Sequence, residues 1–296
     1  MSDDAPAPAP RPAAAKDTEV LRLGPEVTRV VVLGDPHGDL IGLDLVLQRE
    51  SRPGTLILSA GDNVGYADAQ LSSYICQVMA ERGIKSVRGN HEAWSEERQL
   101  FLSPPGAPRE LSEAAWAWCQ ALPERLRLPG LFCGEAVVVH CLPGWDYVNA
   151  DNAARLLDVE DAKLVVCGHT HKPAIYALGG RARRARVTRL DPRGKDPLVV
   201  VPWEAGKRYV VDAGSLARPC GPRRGMCEER ATYAAIDLER KELSLVSLDK
   251  GPRIRALLEA SLSAPPRQQQ AGRLEPQPEG DAGVDAHPDR DREPEA

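Results

Sequence analysis

Val27-Thr28-Arg29-Val30-Val31-Val32-Leu33, followed at once by Gly34-Asp35-Pro36-His37-Gly38-Asp39, is the stretch on which the fold turns. A short β-branched run that stops at a glycine reads as a buried strand. The residues after it, Leu40–Glu50, have helical spacing with Asp39 placed to cap them. This strand–turn–helix unit recurs outward along the chain. Thr55–Ser59 is a second strand ending before Gly61-Asp62, Ala67–Arg82 a helix stopped by Gly83, and Ile84–Val87 a strand followed by Gly89. Further on, Arg109–Ala121 reads as a helix. Leu126–Phe132 and Glu135–Cys141 read as paired strands around Cys133-Gly134, and Ala153–Leu157 as a short helix. Leu164–Cys167 is a strand ending at Gly168. Arg208–Val211, Ala231–Leu238 and Glu242–Leu248 are late strands, with a helix over Arg253–Leu262. Early alternation and a late run of strands define an α/β class with more than one sheet.

The 296 residues carry a formal charge of −5, but the charge is not spread evenly. Residues 1–17 are Ala/Pro-rich with three acids and two bases. Residues 264–296 hold eight acids against four bases among Pro, Gln, Gly and Asp. Both segments lack the apolar residues needed to offset their ordering entropy and are expected to be disordered tails. That leaves 18–263 as one neutral domain. The start has neither a basic nor an apolar signal region, and no apolar run approaches a membrane span, so a cytoplasmic protein without membrane contact is expected. The seven cysteines are scattered without a Cys-x-x-Cys pair, which excludes a disulfide framework and a zinc ribbon.

Five of the six histidines fall in short turns that follow predicted strands, in company with acids and an amide. The turns are Asp35-Pro36-His37, Gly61-Asp62-Asn63, Gly89-Asn90-His91-Glu92, Val139-His140-Cys141 and Gly168-His169-Thr170-His171. Residues just past the carboxyl ends of parallel strands converge on a common crevice. In extended chain the i, i+2 pairs Asp35/His37 and His169/His171 would each point to one side. A mixed set of imidazoles, carboxylates and an amide oxygen suits divalent ions such as Mn²⁺, Fe²⁺ or Zn²⁺.

At these residues the chain resembles the calcineurin-like metallophosphoesterase superfamily, whose D-x-H, GD, GNH[DE], strand-borne His and GH-x-H motifs occur here in that order over 35–171. Asp212-Ala213-Gly214-Ser215 is similar to the N-P-G-S segment of the smaller bacterial members, with Asp-Ala in place of Asn-Pro. The resemblance implies a four-layer α-β-β-α sandwich, two mixed β-sheets face to face with helices outside. It also implies two divalent ions, manganese first with iron, zinc or nickel as alternatives. Asp35, His37 and His171 would hold one ion, Asn90, His140 and His169 the other, and Asp62 would bridge them. A water activated between the ions would attack phosphorus in line. His91 would stand beside the metals and stabilise the transition state or protonate the leaving oxygen.

The implied activity is hydrolysis of phosphate mono- or diesters, with nucleic acid only as a possible substrate and the oligomeric state open. Arg88-Gly89-Asn90-His91-Glu92 also matches the R-G-N-H-E of the phosphoprotein phosphatases. The Asp-Arg that those enzymes carry after the second motif is replaced by Asn63-Val64-Gly65-Tyr66. Arg218, with Arg88, is therefore a candidate substrate-binding residue. A phosphoprotein phosphatase or dinucleoside polyphosphate hydrolase is the alternative, and a non-catalytic scaffold of the same fold the more distant one. Arg181–Lys195 has seven bases against one acid, which fits either a strip for an anionic substrate or a solvated loop. Trp94, Trp145 and Trp203 are candidates to line the site mouth, with rim or core packing as the plainer reading.

Overall fold

The structure, a computed structural model, describes residues 17–94, 110–131, 134–180, 182–191, 198–217 and 229–263. The strands are β1 (Thr18–Val20), β2 (Arg29–Leu33), β3 (Thr55–Ser59), β4 (Lys85–Ser86), β5 (Arg125–Pro129), β6 (Glu135–Val139) and β7 (Leu164–Cys167). They continue as β8 (Ala174–Gly179), β9 (Arg186–Arg189), β10 (Leu198–Pro202), β11 (Lys207–Asp212), β12 (Arg230–Asp237) and β13 (Glu242–Asp249). The helices are α1 (Leu40–Glu50), α2 (Ala69–Glu81), α3 (Asn90–Trp94), α4 (Glu113–Ala121), α5 (Ala153–Val159) and α6 (Gly251–Ser263). Two mixed sheets result, ordered β10-β13-β12-β2-β3-β4 and β1-β5-β6-β7-β11-β8-β9.

Period-2 alternation assigns each strand residue to a layer. Val30 and Val32 of β2 pack with Leu126, Val138, Val166 and Val211 of the other sheet, forming the core between the sheets. Val31 and Leu33 point the other way, onto Leu43 and Val46 of α1, Ile75 and Met79 of α2, and Cys119 of α4. On the far side, Val137, Val165 and Val210 pack against Leu156 and Leu157 of α5. Helices, sheet, sheet and helix make the expected four layers. Each fully buried branched side chain contributes about 1.5–3 kcal/mol.

Helix starts follow their caps. Asp39 accepts from Gly42 N at 2.8 Å, Asp68 from Leu71 N at 2.8 Å, and Ser112 from Ala115 N at 3.2 Å. The third cap sets α4 at Glu113, four residues later than apolar spacing alone indicated. Buried Lys250 donates to Asp39 and to the carbonyls of Leu216 and Ala217, tying the start of α6 to the first helix cap.

The stretch after His171 differs from its sequence reading. It carries three strands absent from that reading: the apolar Ala174–Gly179 and Leu198–Pro202, and the charged Arg186–Arg189. Ala174–Gly179 pairs antiparallel with β11, and Arg186–Arg189 pairs with it as the sheet edge. Arg186 and Arg189 are exposed there while Val187 and Thr188 are half-buried, so an otherwise open edge carries charge at both ends of the strand. The basic residues among 186–189 therefore belong to an edge strand, not a loop. Both tails, Cys133, Cys220, Cys227, Arg218 and the side chain of Trp94 lie outside the described residues. Among the described residues, no helix is long and apolar enough to cross a membrane.

Candidate metal centre

Every turn singled out in the sequence lies at the carboxyl end of a strand: β2, β3, β4, β6 and β7. β2, β3 and β4 run parallel in one sheet, and β6, β7 and β11 in the other. Facing the sheets brings the turns together. Ligand-type atoms of Asp35, His37 and His171 lie within 4.8 Å of one another, as do those of Asp62, His140 and His169, and of His37, Asp62 and His91. Asn90 joins the second group, with Oδ1 2.8 Å from His140 Nε2.

His169 and His171 do not point to one side, contrary to what i, i+2 spacing in extended chain predicts. The turn residues are not extended: φ is 37° at Asp35, 45° at His37, 52° at Asp62, 72° at His169 and 56° at His171. Left-handed backbone at non-glycine residues is uncommon, and each instance costs of order 1–3 kcal/mol, which the surrounding structure must hold in place. Its consequence here is that His169 and His171 diverge, one to each group.

Backbone carbonyls fix which ring nitrogen faces the centre. His37 Nδ1 donates to Val64 O at 2.9 Å, His140 Nδ1 to Ala60 O at 2.8 Å, and His169 Nε2 to Trp145 O at 2.9 Å. The opposite nitrogens converge. His37 Nε2 is 3.1 Å from His171 Nε2, and His140 Nε2 is 3.2 Å from His169 Nδ1 and 3.4 Å from Asp62 Oδ2. Around His140 Nε2, three acceptors therefore compete for a single proton. A cation satisfies all of them together, and ligands about 2.1 Å from one ion stand about 3 Å apart. The residues present fit divalent metal.

Electrostatics split the two sides. Burial pushes His140 toward neutrality, but Asp62 and Asp35 overcome it and hold its imidazole at about 10. Burial opposes ionisation of Asp62 too, yet His140, His37 and His91 keep its carboxyl well below the usual range. His37 goes the other way: burial dominates and lowers it well below an ordinary imidazole.

His91 has its backbone N–H on Asp62 Oδ1 at 2.8 Å and its Nε2 3.9 Å from Asp62 Oδ2. Its ring stands 4.8 Å from that of His37. Gly65 makes room for it. At φ +92° a Cβ there would sit 2.1 Å from His91 Nδ1. Gly65→Ala is expected to displace His91, lowering kcat by about 10²-fold, the lower end of a general acid's contribution, while metal content stays at the parental level. Metal analysis beside steady-state kinetics checks this; a loss of metal instead would make His91 a ligand.

Three residues that stood in the quoted motifs without a role prove to be positioning residues. Glu92, fully buried in α3, accepts from Gly89 N (2.8 Å), Asp62 N (3.0 Å), Asn63 N (2.6 Å) and Asn63 Nδ2 (3.1 Å). Asp212, at the end of β11, accepts from Thr170 Oγ1 at 2.5 Å and Gly214 N at 2.9 Å, bracing the turn between His169 and His171. Ser215 Oγ donates to Asp35 O at 2.9 Å. The motifs named these residues, but their hydrogen-bond partners come from other loops and are not written in them. Of the tryptophans, Trp145 reaches the centre, its ring 6.1 Å from that of His140, whereas Trp203 packs on Tyr209 at 4.8 Å. Tyr66 and Tyr147 also border it, with rings 4.3 Å from His37 and 4.6 Å from His169. Arg88 lines a cleft beside His140.

A two-sheet α/β sandwich with histidines and carboxylates gathered at its strand ends is the architecture of a metallophosphoesterase. Residues 28–173, about half of the chain, match the family model of the calcineurin-like phosphoesterases and belong to that family. Among solved structures, a metallophosphoesterase from Sphaerobacter thermophilus is similar at 23% identity, covering 81% of this chain and 96% of that one with a TM-score of 0.58. That likeness is one of fold. Looser likenesses include a protein serine/threonine phosphatase from Saccharomyces cerevisiae (12% identity, 79% and 84% covered, TM-score 0.47). Another is vacuolar protein sorting 29 from Cryptosporidium parvum (11%, 76% and 99%, 0.37). No curated protein matches the chain by sequence.

Proposed function

We propose that the chain is a cytoplasmic, metal-dependent phosphoric ester hydrolase with a two-ion centre. The observation that carries this reading is the position of Asp62 Oδ2, 3.9 Å from His37 Nε2 and 3.4 Å from His140 Nε2. One carboxylate oxygen addresses both groups of ligands. Asp35, His37 and His171 would hold the first ion, Asn90, His140 and His169 the second, and Asp62 would serve both. Manganese is the first candidate metal, and iron, zinc or nickel suit the same donors. Bound there, two divalent ions supply Lewis acidity to a phosphoryl group and lower the pKa of a coordinated water.

The chain's own residues do the rest. Two carboxylates among seven ligands leave the centre net positive toward a phosphate anion. His91, outside both expected ligand sets, holds a proton at Nε2 for the departing oxygen. Carbonyls of Val64, Ala60 and Trp145 keep the rings from turning.

Chelator-treated protein is expected to be inactive on p-nitrophenyl phosphate and to recover with Mn²⁺ at about two ions per chain. Because Asp62 keeps His140 protonated up to about 10, metal must displace that proton. Binding near neutral pH should therefore release protons, and affinity should rise with pH. Calorimetry in buffers of different ionisation enthalpy reads the release. Fewer than one ion per chain, or turnover indifferent to chelation, would falsify the reading.

A further inference from the structure

The histidines of the centre are not all held alike. His37 and His140 are buried, and core packing fixes their rings. His169 is only half-buried, so packing alone does not fix its ring. The hydrogen bond from its Nε2 to Trp145 O, 2.9 Å long, anchors one edge and leaves the ring free to tilt about that line. The ring of His140 stands edge-on to it at 4.9 Å, with the planes 66° apart. Tyr147 covers a face. Its ring and that of His169 lie 4.6 Å apart with their planes at 26°, inside the range of offset-stacked aromatic pairs. Tyr66, on the first-ion side, meets His37 edge-on instead, at 4.3 Å and 63°.

Tyr147 is 63% exposed, so burial of its own ring does not account for the placement. The backbone around it is braced on both sides. Before it, Leu142 bridges to Asp146, and Trp145 N donates to Leu142 O at 3.1 Å. Its own carbonyl accepts from Asn152 Nδ2 at 2.9 Å. After it, Val148 is buried with Leu156 and Leu157, and Ala150 O accepts from Ala185 N at 2.8 Å on the approach to β9. One anchored loop thus supplies both the carbonyl at the edge of His169 and the ring on its face.

We infer that Tyr147 is a positioning residue of the second ion's site, stacked on His169 to hold the imidazole in the plane that coordination needs. The inference rests on the two-ion reading of the centre. Coordination to a cation draws electron density out of an imidazole, and an electron-poor ring is held more strongly against the electron-rich face of a phenol. The stack is therefore stronger with metal bound than without, and that difference is a contribution to metal affinity. It acts on one ion of the two, because Tyr147 lies against His169 while Tyr66 only meets His37 by its edge.

Mn²⁺ titration of chelator-treated full-length protein, read by the paramagnetic resonance of free Mn²⁺, tests this. Tyr147→Leu, which keeps an apolar side chain but no ring, should weaken one of the two ions by about threefold to tenfold, the scale of an aromatic pair, and leave the other at its parental affinity. Tyr147→Phe should bind both ions as the parent does. In His169→Ala, the Mn²⁺ affinity that remains should be indifferent to Tyr147→Leu, since the partner of the stack is already gone. Two ions bound equally well by the parent and by Tyr147→Leu would overturn the assignment and leave the phosphoesterase reading standing. So would a raised KM at unchanged Mn²⁺ affinity, which would make Tyr147 a substrate contact. Equal weakening of both ions, or weakening that persists in His169→Ala, would reduce the residue to general support of its loop and overturn the assignment too. A parent that binds a single ion, weakened by Tyr147→Leu and not by Tyr147→Phe, would uphold the stack and overturn the two-ion centre instead.

Discussion

Asp62→Asn is expected to lower kcat/KM by about 10³-fold or more, the equivalent of several kcal/mol of transition-state charge stabilisation. The substitution nearly conserves shape, and Asn Oδ1 can still accept from His91 N as Asp62 Oδ1 does at 2.8 Å. What changes is the other atom. Oδ2, which faces His37 Nε2 and His140 Nε2, becomes either a neutral oxygen or an NH₂ aimed at positions meant for cations. Bound metal should fall from about two ions per chain toward one or none. In metal-free protein, His140 loses the carboxylate that holds it protonated, so burial acts with less opposition and its imidazole titrates lower than about 10. Proton release on metal binding then shrinks. Plasma emission analysis, kinetics and imidazole NMR read these three effects separately. Parental kcat/KM with two ions retained would overturn the bridging role proposed for Asp62.

Glu92→Gln is expected to cost about 4 kcal/mol of stability and to weaken metal binding by about 10–100-fold. Gly89 N and Asp62 N donate to Oε2, while Asn63 N and Asn63 Nδ2 donate to Oε1. An amide can serve one of these pairs and must turn its NH₂ toward the other, leaving two buried donors unpaired at about 1–3 kcal/mol each. For a domain of this size the melting temperature should drop by about 10 °C. The metal effect follows because the released backbone belongs to Asp62 and to Gly89, the residue before Asn90. A melt in chelator isolates the first effect, and a Mn²⁺ titration well below the new melting point isolates the second. Lost stability with unchanged Mn²⁺ affinity would make Glu92 a purely structural residue.

The legible part of the fold was local. The apolar runs at Val30–Leu33, Thr55–Ser59 and Leu164–Cys167 and the turns after them announce themselves because a strand buried between layers has to be apolar and has to stop at a residue that can turn. Arg186–Arg189 escaped because this edge strand carries charge at both ends, which hides it from a hydrophobicity reading. Ile84–Val87 was legible as a strand too, and pairing with Leu58 and Ser59 limits it to Lys85–Ser86.

The sequence by itself determined the inventory of the centre: two aspartates, an asparagine and five histidines, each in a turn that follows a strand. Those choices are local, since a strand end and its turn are written in adjacent residues. Tertiary structure decided the rest. It parted His169 from His171, set the tautomers through carbonyls from other loops, placed Glu92 under Asp62, and laid the ring of Tyr147 on His169. Each of these depends on how two twisted sheets meet. His37 and His171 stand 134 residues apart in the chain and 3.1 Å apart at the centre, a distance set by packing and not by spacing.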